Sequence, residues 1–346
     1  MVANALVTGS AGMLGGGLVR RMSAEGYAVH GVDLRVPEET PPDVRHTVAD
    51  IRDGERLRRA MDGMDVVVHT ASALPSYPAA TIRSIIVDGT ATVLEAARRA
   101  GVPRVVHISS TAVYGLPSVV PTTEEYPRSP VDTYSRAKAA AEEVCERHRA
   151  DGLCLPILRP KTFLGPGRMG LFSMLFEWAD EGRDFPVLGR GDVRIQMLAV
   201  EDLLDAVMTA VTAPAEVAGD TYNLAAAEFG TLREDFQAVL DAAGHGGRVR
   251  SIPMGPAAGL LKLTERTGLS PVYGRLLRKL RGDSYVSIAK AAGRLGFRPR
   301  LSNREAILGT YRWWRETRDK EGSRSRGHTS RDPWRQGVLR LAKVFF

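Results

Sequence analysis

Tyr134 and Lys138 are the residues of this chain whose types and spacing point most directly to chemistry. Both stand near the start of a predicted helix, Thr133–Arg149, and residues four apart share one helix face, so the phenol and the ammonium point the same way. A free tyrosine has a pKa of about 10, and a nearby cation favours its phenolate. Such a tyrosine can act as a general base near neutral pH. The same spacing occurs by chance on solvated helix faces, so the pair needs a site around it.

Hydroxyl side chains supply the next part of such a site. The run Ser109-Ser110-Thr111 ends the predicted strand Arg104–Ser110. In a doubly wound sheet the carboxyl edge of the strands faces the cofactor crevice. A hydroxyl at that edge can hydrogen-bond the oxygen atom on which Tyr134 acts.

A glycine-rich turn, TGSAGMLG, follows the first predicted strand and opens the first predicted helix. Gly9 allows a tight turn, Gly12 lets the backbone approach a pyrophosphate, and Gly15 lets helix and sheet pack closely. Met13 and Leu14 stand in the first helical turn, where free N–H groups and the positive end of the helix dipole favour a phosphate. This context predicts a dinucleotide site.

Acidic residues at the ends of the next two strands indicate which dinucleotide binds and where its adenine lies. Asp33 can accept hydrogen bonds from both ribose hydroxyls of NAD and would repel a 2′-phosphate, which favours NAD over NADP. Arg35 weakens this preference, because an arginine there can hold the phosphate. Asp50 and Ile51 are expected near the adenine, with Asp50 available to its amino group, although plain solvation of a strand end fits Asp50 equally well.

The first half of the chain alternates apolar strands with helices, which indicates a parallel sheet covered on both faces. The predicted fold class is α/β, a Rossmann-type doubly wound parallel sheet with a smaller C-terminal α/β substrate domain. The predicted strands of this half are Ala3–Thr8, Ala28–Leu34, His46–Asp50, Asp65–Thr70, Arg104–Ser110 and Leu155–Arg159, and its predicted helices are Leu14–Glu25, Asp53–Met61, Ala79–Ala100 and Thr133–Arg149.

Glycine and proline become frequent after about residue 165, which predicts a change of domain. We expect an NAD-binding domain over residues 1–165 with a return around 198–225, a substrate-binding domain over 166–320, and a basic linker with an amphipathic segment over 321–346. That last segment could lie on an anionic membrane surface or pack against protein. The predicted elements after residue 165 are the helices Phe172–Glu181, Val200–Val211, Leu232–Ala243 and Arg304–Thr317 and a strand, Val249–Ile252.

Composition excludes several other classes. The net charge is +7, but eight Lys/Arg against three acidic residues lie between Arg318 and Phe346, so the rest of the chain is close to neutral and no nucleic-acid binding is predicted. No apolar run is long enough to span a bilayer, and the N-terminus lacks the basic start of a signal peptide, so a cytoplasmic location is expected. Cys145 and Cys154 suggest neither a disulfide framework nor a metal site.

Taken together, the motifs resemble those of the extended short-chain dehydrogenase/reductase family, especially its NAD-dependent nucleotide-sugar epimerase/dehydratase branch. The resemblance runs in unbroken order from Val2 to about Thr317. It implies that Tyr134 is the general base, that Lys138 is its partner and a ligand of the nicotinamide ribose, and that Ser110 is the catalytic hydroxyl. The matching segments are TGSAGMLG, SSTAVYG, YSRAK, LRPKTFLGPG, VLGRGDVRIQMLAVEDLLDAV, YNLA and AKAAGRLGFRP.

The resemblance also implies the remaining ligands of the cofactor. It aligns Thr70, Ala71 and Ser72 with the segment that lines the nicotinamide half of the family's site. Pro160 and Lys161 match the positions that pass over the nicotinamide ring, although a lysine is unusual at a position that is often apolar.

Four residues are implied at the substrate: Thr111, Thr162, Arg168 and Arg194. Thr162 stands where many members carry an Asn that holds the sugar nucleotide, and members acting on UDP-glucuronic acid look similar there, with a Thr that can donate to a carboxylate. A local backbone hydrogen bond is the alternative role for Thr162. Arg194 matches the arginine that commonly grips the diphosphate, for which a bidentate guanidinium is suited.

The activity expected from this resemblance is that of an NDP-sugar 4-epimerase using bound NAD, acting by transient oxidation at C4 of a UDP-hexose or UDP-hexuronic acid. A 4,6-dehydratase is disfavoured because Thr111 and Ala112 replace its usual Asp-Glu pair. Ile86 replaces the Asn of the family's NVxGT helix. Both this change and the lysine at position 161 bear on the substrate more than on the redox chemistry.

Two other classes of function remain open. The runner-up is an NAD(P)-dependent 3β-hydroxysteroid dehydrogenase or ketone reductase, for which HTASALP and LFSMLFEW would provide apolar contacts. A regulator that binds dinucleotide without turnover is disfavoured by the intact Ser110, Tyr134 and Lys138. The resemblance further implies a homodimer paired through the helices predicted at Ala79–Ala100 and Thr133–Arg149.

Overall fold

A computed structural model describes residues 3–37, 39–167, 172–253 and 282–321. Seven of its strands form one parallel sheet in the order β10-β6-β5-β4-β1-β2-β3, and β7–β9 and β8–β11 form two small parallel pairs. The strands are β1 Asn4–Thr8, β2 Ala28–Asp33, β3 Arg45–Val48, β4 Val66–His69, β5 Val105–Ile108, β6 Ile157–Pro160, β7 Phe163–Leu164, β8 Phe185–Leu188, β9 Leu198–Ala199, β10 Thr221–Leu224 and β11 Val249–Ile252.

Helices connect the strands. A π-helical turn, Ser84–Asp88, joins α3 to α4, a 3₁₀ turn, Thr111–Tyr114, follows β5, and a second π-helical turn, Ala291–Leu295, precedes the last helix. The helices are α1 Met13–Ala24, α2 Gly54–Ala60, α3 Ala79–Arg83, α4 Gly89–Arg99, α5 Thr133–Ala150, α6 Phe172–Asp180, α7 Val200–Thr212, α8 Ala215–Ala218, α9 Leu232–Ala243 and α10 Asn303–Glu321.

The strand order confirms the predicted doubly wound fold class. Successive strands run outward from β1 through β2 to β3, and the chain then returns to place β4 on the other side of β1. The crevice between β1 and β4 is therefore the topological switch point, where open α/β sheets bind ligands at the carboxyl ends of their strands. Thr8 and His69 are paired there, and the Thr8 hydroxyl is 2.8 Å from Nδ1 of His69.

Both faces of the sheet are buried, as its uniformly apolar strands require. Val7 and Val68 face a core formed with α1 and α7, whereas Leu6 and Val67 face a second core formed with α2, α4 and α5. At the α1–α7 contact, a Cβ on Gly17 would lie 3.3 Å from a methyl group of Leu204. The sheet is thus packed on both faces, so the carboxyl ends of its strands are held in fixed positions.

The later part of the chain builds a separate aromatic core. α6, α9 and α10 enclose Phe176, Trp178, Tyr311 and Trp314, and the rings of Phe176 and Tyr311 lie 5.4 Å apart. The chain also returns to the large sheet, since β10 pairs with β6. The domain boundaries at residues 165 and 320 stay predictions. The segment 321–346, apart from the last helical residue Glu321, lies outside the described residues.

Some predicted elements differ from those observed. The helix predicted over Ala79–Ala100 is interrupted by the π-helical turn Ser84–Asp88, a local i→i+5 arrangement that a 3.6-residue periodicity does not reveal. The strand predicted to reach Ser110 ends at Ile108, where its pairing with β6 ends. α9 has the predicted bounds, and a capping box between Thr231 and Glu234 begins it. Among the described residues, no helix combines the length and apolar character needed to cross a bilayer.

Candidate active site

A cleft of about 590 Å³ lies at the carboxyl ends of β1, β2, β4, β5 and β6. It brings together nearly all the residues predicted to contact cofactor or substrate, although they come from distant parts of the sequence. Those predicted residues that line it are Gly9, Gly12, Met13, Leu14, Gly15, Asp33, Arg35, Asp50, Ile51, Thr70, Ala71, Ser72, Ser110, Thr111, Tyr134, Lys138, Pro160, Lys161 and Thr162.

The glycine turn forms one end of the cleft, and its backbone leaves no room for side chains. Gly9 has φ +72°, and a Cβ on it would lie 2.8 Å from the amide nitrogen of Ala71. A Cβ on Gly15 would lie only 2.1 Å from the carbonyl oxygen of Gly9. Gly12 precedes α1 in extended conformation, so Met13 and Leu14 present first-turn amides that have no acceptor within the helix. These amides can bind a pyrophosphate.

Asp33 holds a fixed carboxylate next to this turn. One carboxylate oxygen accepts a hydrogen bond from the amide of Ala11 at 3.0 Å, and the other accepts from the amide of Arg35 at 3.2 Å. Each oxygen retains acceptor capacity toward the cleft. The carboxylate therefore has the position and chemistry to bind ribose hydroxyls.

Asp50 is engaged by a residue that sequence reasoning missed. Arg52 donates from Nε to one carboxylate oxygen of Asp50 at 2.9 Å and from Nη2 to the other at 2.5 Å, and its Nη1 donates to Ser84 Oγ at 3.0 Å. The hydrogen bonds from Arg52 lower the pKa of Asp50. Arg52 also lines the cleft, so a guanidinium stands at the end where the adenine was expected. The short Asp-x-Arg spacing was the available signal.

Lys138 is a buried cation fixed by the sheet. Its side chain is 3% exposed, and Nζ donates to the carbonyl of Ile108, the last residue of β5, at 2.9 Å. Burial lowers the pKa of Lys138 to about 8. Tyr134 is half-buried one turn earlier on α5. A capping box between Asp132 and Ser135 fixes this first turn, with the Ser135 amide donating to Asp132 at 2.8 Å.

The three hydroxyls after β5 have different environments. Ser109 is buried and donates its proton to Glu142. Thr111 makes a long contact of 3.4 Å with the carbonyl oxygen of Pro160. Ser110 accepts a hydrogen bond from the amide of Ala112 at 3.1 Å through its Oγ, which leaves the hydroxyl proton to be donated. Of the three, Ser110 therefore has the environment suited to a donor toward a substrate oxygen.

A buried polar network lies directly beneath these groups. Glu142, fully buried one turn after Lys138, accepts from Arg159 Nε at 2.9 Å and from Nη2 at 2.7 Å. Arg159 also donates to the hydroxyl of Tyr114 at 2.8 Å, and that hydroxyl donates to Asn223 Oδ1 at 2.8 Å. The network joins α5, β6, β10 and the turn after β5.

The structure brings into the cleft only some of the residues predicted to bind the substrate. Thr162 lines the cleft with an exposed side chain. Arg194 is not among the cleft-lining residues described; its guanidinium lies 4.7 Å from the ring centre of Phe229 and 5.2 Å from that of Tyr285. Arg168 lies outside the described residues. The diphosphate role of both arginines stays a prediction.

Comparison with known proteins places this fold and cleft in a family. The model of the NAD dependent epimerase/dehydratase family matches residues 5–225, which include every catalytic residue predicted above. The protein belongs to this family. The cofactor is accordingly NAD, and the glycine turn and the Asp33 carboxylate fit it.

Curated relatives of this epimerase/dehydratase family member differ in activity. An uncharacterized protein of Sinorhizobium fredii is 36% identical, over 99% of this chain and 86% of its own length. A 3 beta-hydroxysteroid dehydrogenase/Delta 5→4-isomerase of Mycobacterium tuberculosis is 30% identical, over 87% of this chain and 88% of its own. A UDP-glucose 4-epimerase of Mycolicibacterium smegmatis is also 30% identical, over 69% of this chain and 82% of its own.

Solved structures agree on the fold. UDP-glucose 4-epimerase of Thermotoga maritima, crystallised with UDP-glucose, has a TM-score of 0.74 and 21% identity, covering 91% of this chain and 99% of that one. DesIV, a dTDP-glucose 4,6-dehydratase of Streptomyces venezuelae crystallised with NAD, has a TM-score of 0.72 and 27% identity, covering 92% and 98%. Membership in the family thus leaves epimerase, dehydratase and dehydrogenase activities to be distinguished by the site.

Two features of the site in this family member were not predicted from the sequence: the packing of Ile86 and a buried ion pair. Ile86, which replaces the family's Asn, is 1% exposed and packs in an apolar cluster with Ala137. The buried Glu142–Arg159 pair was missed entirely. Its sequence signal was Glu142 four residues after Lys138, on the same face of α5.

Proposed function

We propose that the protein is an NAD-dependent 4-epimerase of nucleotide sugars, acting on a UDP-hexose or a UDP-hexuronic acid. The observation that carries this proposal is the distribution of acid and base groups in the cleft. Tyr134, Lys138 and Ser110 line the catalytic half, whereas the carboxylates among the described lining residues, Asp33 and Asp50, belong to the adenosine half. The catalytic half therefore offers one proton-transfer centre and, within the described lining, no carboxylic acid to assist loss of water.

Tyr134 would take the proton of the sugar 4-hydroxyl as a phenolate. The ammonium of Lys138 favours that phenolate, and Ser110 donates a hydrogen bond to the same sugar oxygen. NAD, held by the glycine turn and by Asp33, would supply the acceptor for the hydride of C4 and the donor of hydride to the opposite face of the sugar. Tyr134 then returns its proton to the oxygen, so protons and electrons balance over one turnover. The sugar ring has to turn within the cleft between the two transfers.

The test is to incubate the purified protein with UDP-glucose, UDP-galactose, UDP-glucuronate and UDP-galacturonate. We expect interconversion within one C4 pair with no net formation of NADH. Tyr134→Phe should lower kcat by about 10²- to 10⁴-fold, the usual contribution of a general base. Tyr126→Phe is the matched control, because Tyr126 lies outside the cleft lining and should leave kcat unchanged. Failure of every UDP-sugar to turn over would refute the proposal.

A 3β-hydroxysteroid dehydrogenase is the second candidate, favoured by the relative from Mycobacterium tuberculosis. Of the two apolar segments expected to contact a steroid, the structure places only one in the cleft. Phe176 and Trp178 of LFSMLFEW are buried in the aromatic core rather than in the cleft, because α6 packs its apolar face against α9. Leu74 and Pro75 of HTASALP do line the cleft. Stoichiometric NADH formation with a 3β-hydroxysterol would favour this candidate over the epimerase.

The predicted homodimer is proposed as well. The helices that would pair are α3 with α4, and α5. Sedimentation velocity should then give twice the mass of a 37.6 kDa chain. A monomer at micromolar concentration would contradict it.

A further inference from the structure

The groups proposed to act on the substrate come from two elements of the fold. Tyr134 and Lys138 stand on α5, whereas Ser110 follows β5. A hydrogen-bond donor and a base that act on one oxygen atom have to be held in a fixed relation to each other. The contacts between the end of β5 and α5 therefore set the geometry of catalysis.

Two hydrogen bonds among the described residues join the end of β5 to α5. Lys138 Nζ donates to the carbonyl of Ile108 at 2.9 Å. Ser109, the next residue along the chain, donates its hydroxyl proton to Glu142, one turn further along the same helix. Successive residues are thus bonded to successive turns of α5, immediately before Ser110.

Ser109 and Ser110 direct their side chains to opposite sides of the chain. Ser110 is extended, with φ −165° and ψ 146°, and side chains alternate along an extended chain. Ser109 is 3% exposed and faces Glu142, whereas Ser110 lines the cleft. The amide of Ser109 also donates to the carbonyl of Leu158 at 2.7 Å. Holding Ser109 therefore holds the backbone from which the Ser110 hydroxyl projects.

Glu142 is a suitable anchor because its own position is fixed. Its fully buried carboxylate accepts two hydrogen bonds from Arg159, at 2.9 and 2.7 Å, and one from Arg128 at 3.3 Å. A carboxylate also makes a stronger hydrogen bond than a neutral acceptor does. The bond from Ser109 therefore ties the end of β5 to a rigid point of α5.

We propose that Ser109 is a positioning residue of catalysis: through its hydrogen bond to Glu142 it sets the placement of the Ser110 hydroxyl relative to Tyr134. This inference rests on the proposed function, because it assigns Ser110 and Tyr134 to one substrate oxygen. It does not depend on which substrate carries that oxygen, since a sugar 4-hydroxyl and the 3β-hydroxyl of a sterol need the same donor and base.

The experiment measures kcat and KM of wild type, Ser109→Ala, Ser109→Thr and Thr310→Val with the UDP-sugar pair that wild type interconverts. Ser109→Ala should lower kcat by about 10- to 100-fold, the effect of a misplacement of about 1 Å, and leave KM within about twofold. Ser109→Thr keeps the hydroxyl and should restore most of kcat. Thr310→Val is the control, because Thr310 is buried on α10, donates to the carbonyl of Ala306 and lies outside the cleft lining. Its kcat should equal that of wild type.

A double-mutant cycle with Ser110→Ala tests the route by which Ser109 acts. If Ser109 acts by placing Ser110, Ser109→Ala should change kcat by less than about twofold once the Ser110 hydroxyl is absent. Ser109→Cys replaces Ser109→Ala in these comparisons if the alanine variant does not fold, because a thiol is only a weak donor. Its loss of kcat should be smaller and in the same direction.

Calorimetric titration with NAD supplies a readout that does not need turnover. NAD should bind Ser109→Ala within about twofold of wild type, since the glycine turn and Asp33 lie at the ends of β1 and β2. A general disturbance of the fold would instead weaken NAD binding and lower kcat together.

Two results would overturn the positioning role and leave the 4-epimerase activity standing. One is an unchanged kcat in Ser109→Ala; the other is an undiminished loss in the Ser110→Ala background. If only a 3β-hydroxysterol is turned over, the proposed activity is overturned, and the same variants test Ser109 with that substrate. Absence of turnover with UDP-sugars and 3β-hydroxysterols alike would overturn the activity and the positioning role together.

Discussion

Replacing Arg159 with methionine would remove the bidentate partner of the buried Glu142 carboxylate. Glu142 is fully buried and Arg159 is 4% exposed, and the two share a bidentate contact of 2.9 and 2.7 Å. Methionine fills much of the arginine volume without its charge. Glu142 would keep Ser109 as a buried donor and Arg128 as a more distant one, at 3.3 Å.

Removing one partner of a buried ion pair usually lowers the free energy of unfolding by about 3–5 kcal/mol. An unfolding entropy of about 2.1 cal/mol/K per residue gives about 0.7 kcal/mol/K for 346 residues. The melting temperature should therefore fall by about 4–7 °C. Changing Glu142→Gln as well removes the buried negative charge that has lost its bidentate partner, so the double variant should recover a substantial part of the loss.

Differential scanning calorimetry of wild type, Arg159→Met, the double variant and Arg190→Met measures these shifts. Arg190 is the control, because its pair with Asp192 is highly exposed, and its loss should leave the melting temperature within experimental error. If Arg159→Met melts within about 1 °C of wild type, the pair does not carry the stability that its burial implies. A double variant that melts below Arg159→Met would refute the view that the buried charge of Glu142 causes the loss of stability.

Three further outcomes follow from the site and its surroundings. Burial lowers the pKa of Lys138 to about 8, so the cation that favours the Tyr134 phenolate is lost as pH rises. The value of kcat/KM should therefore fall through about pH 8. Lys138→Arg, whose charge persists, should remove this decrease at alkaline pH. Burial also lowers the pKa of His69 to about 3, so between its ordinary value of about 6.5 and about 3 the unfolded chain takes up a proton that the folded chain does not. The free energy of unfolding measured by urea titration should therefore fall from pH 7 to pH 5, by up to about 1.4 kcal/mol per pH unit for this group. Gly15→Ala, with its Cβ 2.1 Å from the Gly9 carbonyl oxygen, should weaken NAD binding by at least about 10-fold in a calorimetric titration, whereas Gly293→Ala, with open space around it, should bind NAD as wild type does.

Patterns among residues that are close in sequence predicted much of the fold and many of the residues that line the cleft. The glycine turn, the carboxylate of Asp33 and the hydroxyl of Ser110 each follow a strand within a few residues, and parallel strands bring their carboxyl ends to one edge. Composition and order along the chain are enough to place such residues.

Features that depend on contacts between distant elements were not predictable in this way. Glu142 and Arg159 meet because α5 packs against the sheet, and the sequence of neither segment alone identifies its partner. Arg194 illustrates the same limit, since its stacking on Phe229 and Tyr285 joins three separate segments. The apolar run around Phe176 was considered as a contact for the steroid of the alternative function, although an apolar helix face fits a core equally well.

The bond from Lys138 to the carbonyl of Ile108 has a consequence for how this enzyme can vary. The acceptor that holds the Lys138 ammonium is a main-chain oxygen, so no substitution of the Ile108 side chain can delete it. Any apolar residue that keeps β5 in register with β6 preserves the anchor. Substitutions within this strand that keep its register therefore leave the position of the Lys138 ammonium unchanged, and only a shift of the strand itself would move it.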